Sequence, residues 1–218
     1  MAVTFVDLAQ DCAPVVEVRM LAAVISLESR FKPFDIRINS GPPLERQPAS
    51  KAEAIELATS LAADHQDIQI GLGGIGMEEL RKLKLSISDA FDPCLNLKAT
   101  ATLLNSYYRL ALYAGAGPKQ AEKVMLQSYY GRNDPSVGKM VKYDEQVRDE
   151  MVRLSSNLAS VAIQREEIPL AEPAGNREAP AITKSIPQPD EAASWDVFNA
   201  RRQSQVLVFQ NERSEQSQ

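Results

Sequence analysis

The chain has 218 residues, 44% of them hydrophobic, enough to bury one core of ordinary domain size with length to spare. A net charge of -5 and a pI near 5.1 leave no basic surface of the kind that phosphate backbones require, so nucleic acid is excluded as a partner. No run approaches the roughly 20 apolar residues of a transmembrane helix, and a lone histidine, His65, excludes multi-histidine metal sites, so neither metal nor cofactor is called for.

From about residue 4 to 165, apolar-periodic segments alternate with short Gly and Pro breaks, and strict alternation is scarce. The expected fold is mainly α with minimal β, one domain over 1–165. Asp7 and Asp11 stand where a secretory leader would be basic, so no export signal is visible. Helices are predicted over 15–29, with Pro14 at its start, and over 50–64, capped by Ser50. Further helices are expected over 77–84, over 96–114 with Asn96 as cap, over 118–129 and over 138–163. Between them, Phe34–Pro48 and the glycine-rich Ile68–Gly76 read as loops or a small hairpin region flanking a cleft.

Past Glu166 the character changes. Pro169, Pro173, Pro180, Pro187 and Pro189 punctuate a stretch with few large apolar residues, which reads as a disordered tail over 166–218. That tail holds nine acidic and five basic residues, so it carries most of the net charge and leaves the body nearly neutral. Near its end Trp195, Val197, Phe198 and Val206–Phe209 form an apolar patch suited to docking a partner, or to a strand that packs back on the body. Cys12 and Cys94, each expected just outside a helix, suit either one disulfide in an oxidising compartment or two buried thiols.

Met20–Leu27 is apolar but for Ser26, so its helix is expected to be buried and to deliver Glu28 into apolar surroundings. Such surroundings disfavour a bare charge, the condition for a general acid. Read without its neighbours, a glutamate before Ser29 and Arg30 at a helix end is usually an exposed or salt-bridged group.

The flanking residues add a family likeness. Glu28-Ser29-Arg30-Phe31 resembles the Glu-Ser-x-Phe signature of the lysozyme-like lytic transglycosylases, and Gly71-Leu72-Gly73-Gly74-Ile75-Gly76 resembles their glycine-leucine motif. Ala90–Ala99 is similar to their third block and Ser128-Tyr129-Tyr130-Gly131 to their tyrosine motif. The opening Leu8–Pro14 and the Asp92-Pro93-Cys94 block make the likeness strongest to the transglycosylases of VirB-type type IV secretion and conjugation systems.

This resemblance implies a lysozyme-like fold and a periplasmic enzyme that cleaves peptidoglycan glycan strands. Glu28 would protonate the bond between N-acetylmuramic acid and N-acetylglucosamine, then act as base while a 1,6-anhydro ring closes. It also implies substrate-binding roles for Ser29, Gly71, Leu72, Gly73, Ile75 and Tyr129, a Cys12–Cys94 disulfide, and secretion-apparatus partners met through Trp195, Phe198 and Phe209. Three departures stand out: Gly74 and Gly76 occupy places where the family carries Gln and Asn, and Tyr130 replaces an Asn. Losing such hydrogen bonds weakens binding by about 1–3 kcal/mol each without removing the acid. A glycan-binding or assembly module is the alternative those losses motivate, and a cytoplasmic helical adaptor is the one motivated by the missing export signal.

Overall fold

A computed structural model describes residues 2–164, and the expected disorder over 166–193 and the docking patch Trp195–Phe209 lie outside them. The described residues are mainly helical, with two small sheets. Strand β1 (Ala2–Thr4) leads into α1 (Phe5–Cys12), a helix absent from the predicted elements. Its signal is short but present: Phe5, Leu8, Ala9 and Cys12 follow helical spacing and all are buried, and the Thr4 hydroxyl caps the Asp7 N–H.

Helix α2 (Val18–Ser29) starts three residues later than predicted. Pro14 belongs instead to a turn closed by Val16 N–H on the Ala13 carbonyl. Strand β2 (Ile36–Ile38) follows, then α3 (Lys51–Ala63) with Ser50 capping as expected, and the hairpin β3 (Ile68–Ile70) and β4 (Ile75–Gly76). Both predicted loop regions thus contribute strands, in the antiparallel order β2-β3-β4. Register pairs Ile36 with Ile70, Arg37 with Gln69 and Ile38 with Ile68, so the isoleucines share one face and the two polar side chains the other.

Two short helices, α4 (Met77–Leu83) and α5 (Ile87–Ala90), lead to the long α6 (Pro93–Tyr113). Its cap is Asp92, with Pro93 in the first turn; Asn96, expected in that role, lies within the helix and is fully buried. Cys12 and Cys94 likewise lie inside α1 and α6, not beyond them. Helix α7 (Pro118–Tyr130) has nearly its predicted bounds.

The single helix predicted over 138–163 is four elements. Helix α8 (Pro135–Met140) ends before Lys142, whose left-handed backbone (φ 54°) starts α9 (Tyr143–Leu154), and a 3-10 turn and β5 (Ala162–Gln164) follow. Periodicity alone does not reveal the break, because α8 is held by a tertiary contact. A side chain at Gly138 would lie 2.1 Å from the Gln127 carbonyl oxygen, so glycine lets α8 press on α7. Strand β5 pairs with β1 and joins the two ends of the domain.

Two apolar clusters result. One gathers Phe5, Leu21, Ile25, Leu97, Leu126 and Val147 from α1, α2, α6, α7 and α9. The other gathers Ile36, Ile68, Ile70, Ile75, Leu80 and Phe91 around the three-stranded sheet. The end of α2 and the polar face of β2 and β3 meet between them.

Candidate active site

Glu28 occupies the last turn of α2, and its side chain is only 3% exposed. The surroundings are not merely apolar. Tyr143 at the start of α9 donates its hydroxyl to Oε1 at 2.6 Å, and Arg37 of β2 donates Nη2 to Oε2 at 2.6 Å. Both carboxylate oxygens are therefore held by donors from opposite sides of the site, as a buried charge requires.

Arg37 is itself anchored across the sheet, where Nε donates to Gln69 Oε1 at 2.8 Å and Nη2 also reaches that oxygen. The Arg37 side chain remains 38% exposed. Together with Asn39, Gln69, Tyr130, Gly131, Arg132 and Val137, Arg37 lines a groove of about 400 Å³. Arg132 also borders a second hollow of about 410 Å³ with His65, Asp67, Met77 and Arg81. These volumes suit small organic ligands.

The other sequence-selected residues form the ground on which the site rests. Ser29 is buried and donates its hydroxyl to the Ile25 carbonyl one turn back, while Leu72 and Ile75 put their side chains into the two cores. Gly71 and Gly73 lie against α6: a Cβ would fall 2.2 Å from Asn96 Nδ2 at the first and 2.0 Å from Thr100 Oγ1 at the second. Asn96 accepts from Gly73 N–H at 2.7 Å and donates to the Ala90 carbonyl at 2.7 Å. Tyr129 is buried and donates its hydroxyl to the Gly73 carbonyl at 2.6 Å, so it holds the glycine turn from behind. Its neighbour Tyr130 lines the groove and packs on Tyr143 with ring centroids 5.0 Å apart.

Burial, reinforced by the charge of Glu28, raises the Tyr129 and Tyr143 phenols far above their ordinary range. They serve as donors and not as bases. Arg37, Gln69 and Tyr143 were missed by sequence reading. Ile-Arg-Ile and Ile-Gln-Ile carry the alternation of half-buried strands, which points Arg37 and Gln69 to one face, whereas nothing local marks Tyr143. Cys12 and Cys94 are joined in a disulfide, with Cα atoms 5.3 Å apart. No helix among the described residues is long and apolar enough to cross a membrane.

Comparison with known proteins finds no matching family model and no matching solved structure. Curated relatives do match. The type IV secretion system protein VirB1 of Brucella abortus is 38% identical over 132 residues, covering 60% of this chain and 55% of the relative. VirB1 of Agrobacterium fabrum is 28% identical over 200 residues, 90% of this chain and 71% of the relative, and VirB1 of Rhizobium radiobacter is 34% identical over 105 residues. The chain thus spans about half the length of the Brucella relative. By these matches the chain is similar to the VirB1 proteins of type IV secretion systems.

Proposed function

We propose that this chain is a lytic transglycosylase that cuts peptidoglycan between N-acetylmuramic acid and N-acetylglucosamine, opening the wall for a type IV secretion or conjugation apparatus. One observation carries the reading: a buried glutamate at a helix end, held by a tyrosine and by an arginine that itself lines a sugar-sized groove.

With a glycan strand in the groove, the Glu28 carboxyl gives its proton to the glycosidic oxygen and the bond to C1 of the muramic acid breaks. The sugar's acetamido oxygen bonds C1 and carries the positive charge, so no second carboxylate is required. The Glu28 carboxylate then takes the proton of the C6 hydroxyl, O6 displaces the acetamido oxygen at C1, and the anhydro ring closes. The carboxyl ends as it began. Tyr143 stabilises the charged form between the two steps through its 2.6 Å hydrogen bond.

A periplasmic location agrees with the Cys12–Cys94 disulfide, a bond that persists in an oxidising compartment and counts against a cytoplasmic adaptor. In this reading residues 1–165 are the catalytic domain, and the 166–218 tail docks on apparatus components through Trp195, Phe198 and Phe209.

The test is digestion of murein sacculi by the purified chain, with anhydro-muropeptides followed by mass spectrometry. Release by the wild type and a loss of at least about 100-fold in Glu28→Gln is expected, the order by which general acid catalysis contributes. Equal release by both proteins sinks the assignment. A second reading, a catalytically weakened glycan-binding and assembly module, is favoured by the occupation of both Glu28 oxygens in the resting protein. Sacculus binding without anhydro products is its signature.

A further inference from the structure

Arg37 reaches Glu28 through room that a glycine leaves. Gly74 has a left-handed backbone, and a Cβ there would lie 2.9 Å from Glu28 Oε2 and 3.6 Å from Arg37 Nη2. Any larger residue would press on the carboxylate oxygen that the guanidinium holds. On the other side Gln69, opposite Arg37 in the strand register, fixes the same guanidinium from below. Nη1 makes no hydrogen bond among the described residues, and the side chain faces the groove.

We propose that Arg37 is a positioning residue that sets the Glu28 carboxyl through the gap at Gly74, moored to Gln69 so that it holds the charged form and yields to the protonated one. This rests on the transglycosylase reading above. When Glu28 is ionised, Nη2 bridges Glu28 Oε2 and Gln69 Oε1. When Oε2 carries the proton, its attraction for the cation falls, and the bond from Nε to Gln69 keeps the guanidinium beside the acid. The same arginine that orients the acid therefore favours its ionised form, and these two effects separate in a pH profile.

The experiment compares wild type, Arg37→Ala and Arg37→Lys as full chains. Rates of anhydro-muropeptide release from sacculi are measured against pH, and the Glu28 side-chain carboxyl is titrated by 13C NMR. For Arg37→Ala we expect a plateau kcat lower by about tenfold, with KM changed less, and a high-pH limb displaced to higher pH together with the NMR midpoint. Arg37→Lys should recover part of both. A merely structural loss lowers the plateau without moving limb or midpoint, and that result overturns the inference. Should the wild type release no anhydro product, the transglycosylase reading fails, and the titration alone decides whether Arg37 sets Glu28: an unmoved midpoint refutes it, a raised one upholds it.

Discussion

Asn96 shows how much one buried amide can organise. It is fully buried in the second turn of α6, and it satisfies the Gly73 N–H and the Ala90 carbonyl, with a longer 3.4 Å contact to the Ile70 carbonyl. Those groups belong to three different segments, so the amide ties the glycine turn to the sheet and to α5. Replacing it with alanine leaves a buried N–H and a buried carbonyl unpaired, at about 1–3 kcal/mol each. Asn96→Ala is accordingly expected to lower the thermal midpoint by about 5–15 °C for a domain of this size. A midpoint within about 1 °C of the wild type by calorimetry would mean that the turn is held by other groups. The glycines answer the same demand from the other side, since their bare flanks make the close approach to Asn96 and Thr100 possible.

Between elements, the break at Lys142 matters most for the site. Had the chain run on as one helix from 138, no left-handed residue would turn the start of α9 so that Tyr143 meets Glu28. Ser26 and Glu150 add a second α2 to α9 contact, with Glu150 bridged in turn to Arg153. A third link is the pair of Arg132, just past α7, with Asp67, just before β3, made through two hydrogen bonds of 2.6 Å. Those hydrogen bonds hold the Asp67 carboxyl below its ordinary value of 3.8. A depressed folded value means that the contribution to stability is present above that pH and lost as pH falls through the folded value. Both side chains are partly exposed, so the effect is small, under about 1 kcal/mol, and screened by salt. Denaturant titrations of wild type and Asp67→Asn should differ by a constant gap from pH 7 down to about 4 and converge below it. A gap that persists undiminished to pH 2 would assign the difference to packing.

For the whole molecule, the disulfide between α1 and α6 encloses a stretch that contains α2, the sheet and α3 to α5, the cysteines standing 82 positions apart in sequence. It therefore fastens the first core cluster around the segment that carries Glu28, Arg37 and Gln69. Closing a loop of that length is worth about 4 kcal/mol on the chain-entropy picture. A Cys12→Ser, Cys94→Ser double variant is expected to unfold at a markedly lower denaturant concentration than the wild type. Addition of reductant should bring the wild type to the same midpoint. Indistinguishable midpoints with and without reductant would show that the crosslink contributes nothing. The β1 to β5 pair joins the first and last strands of the described residues.

Helix content, the Ser50 cap and the bounds of α7 were settled by the sequence itself, because periodicity, capping chemistry and burial propensity act over a few neighbouring residues, whereas the choice of Glu28 came from the resemblance carried by its flanking motif. The strands β2 and β3 were half legible, in alternation too short to outweigh the surrounding Gly and Pro. Tertiary structure alone decided what stands against Glu28. Arg37 is 9 residues away and Tyr143 is 115, and Asn96 meets Gly73 across 23. A local pattern tells which face of an element is buried, but the partner of a buried polar group is fixed only when distant elements pack, since a carboxylate taken from water must find its donors wherever the fold brings them.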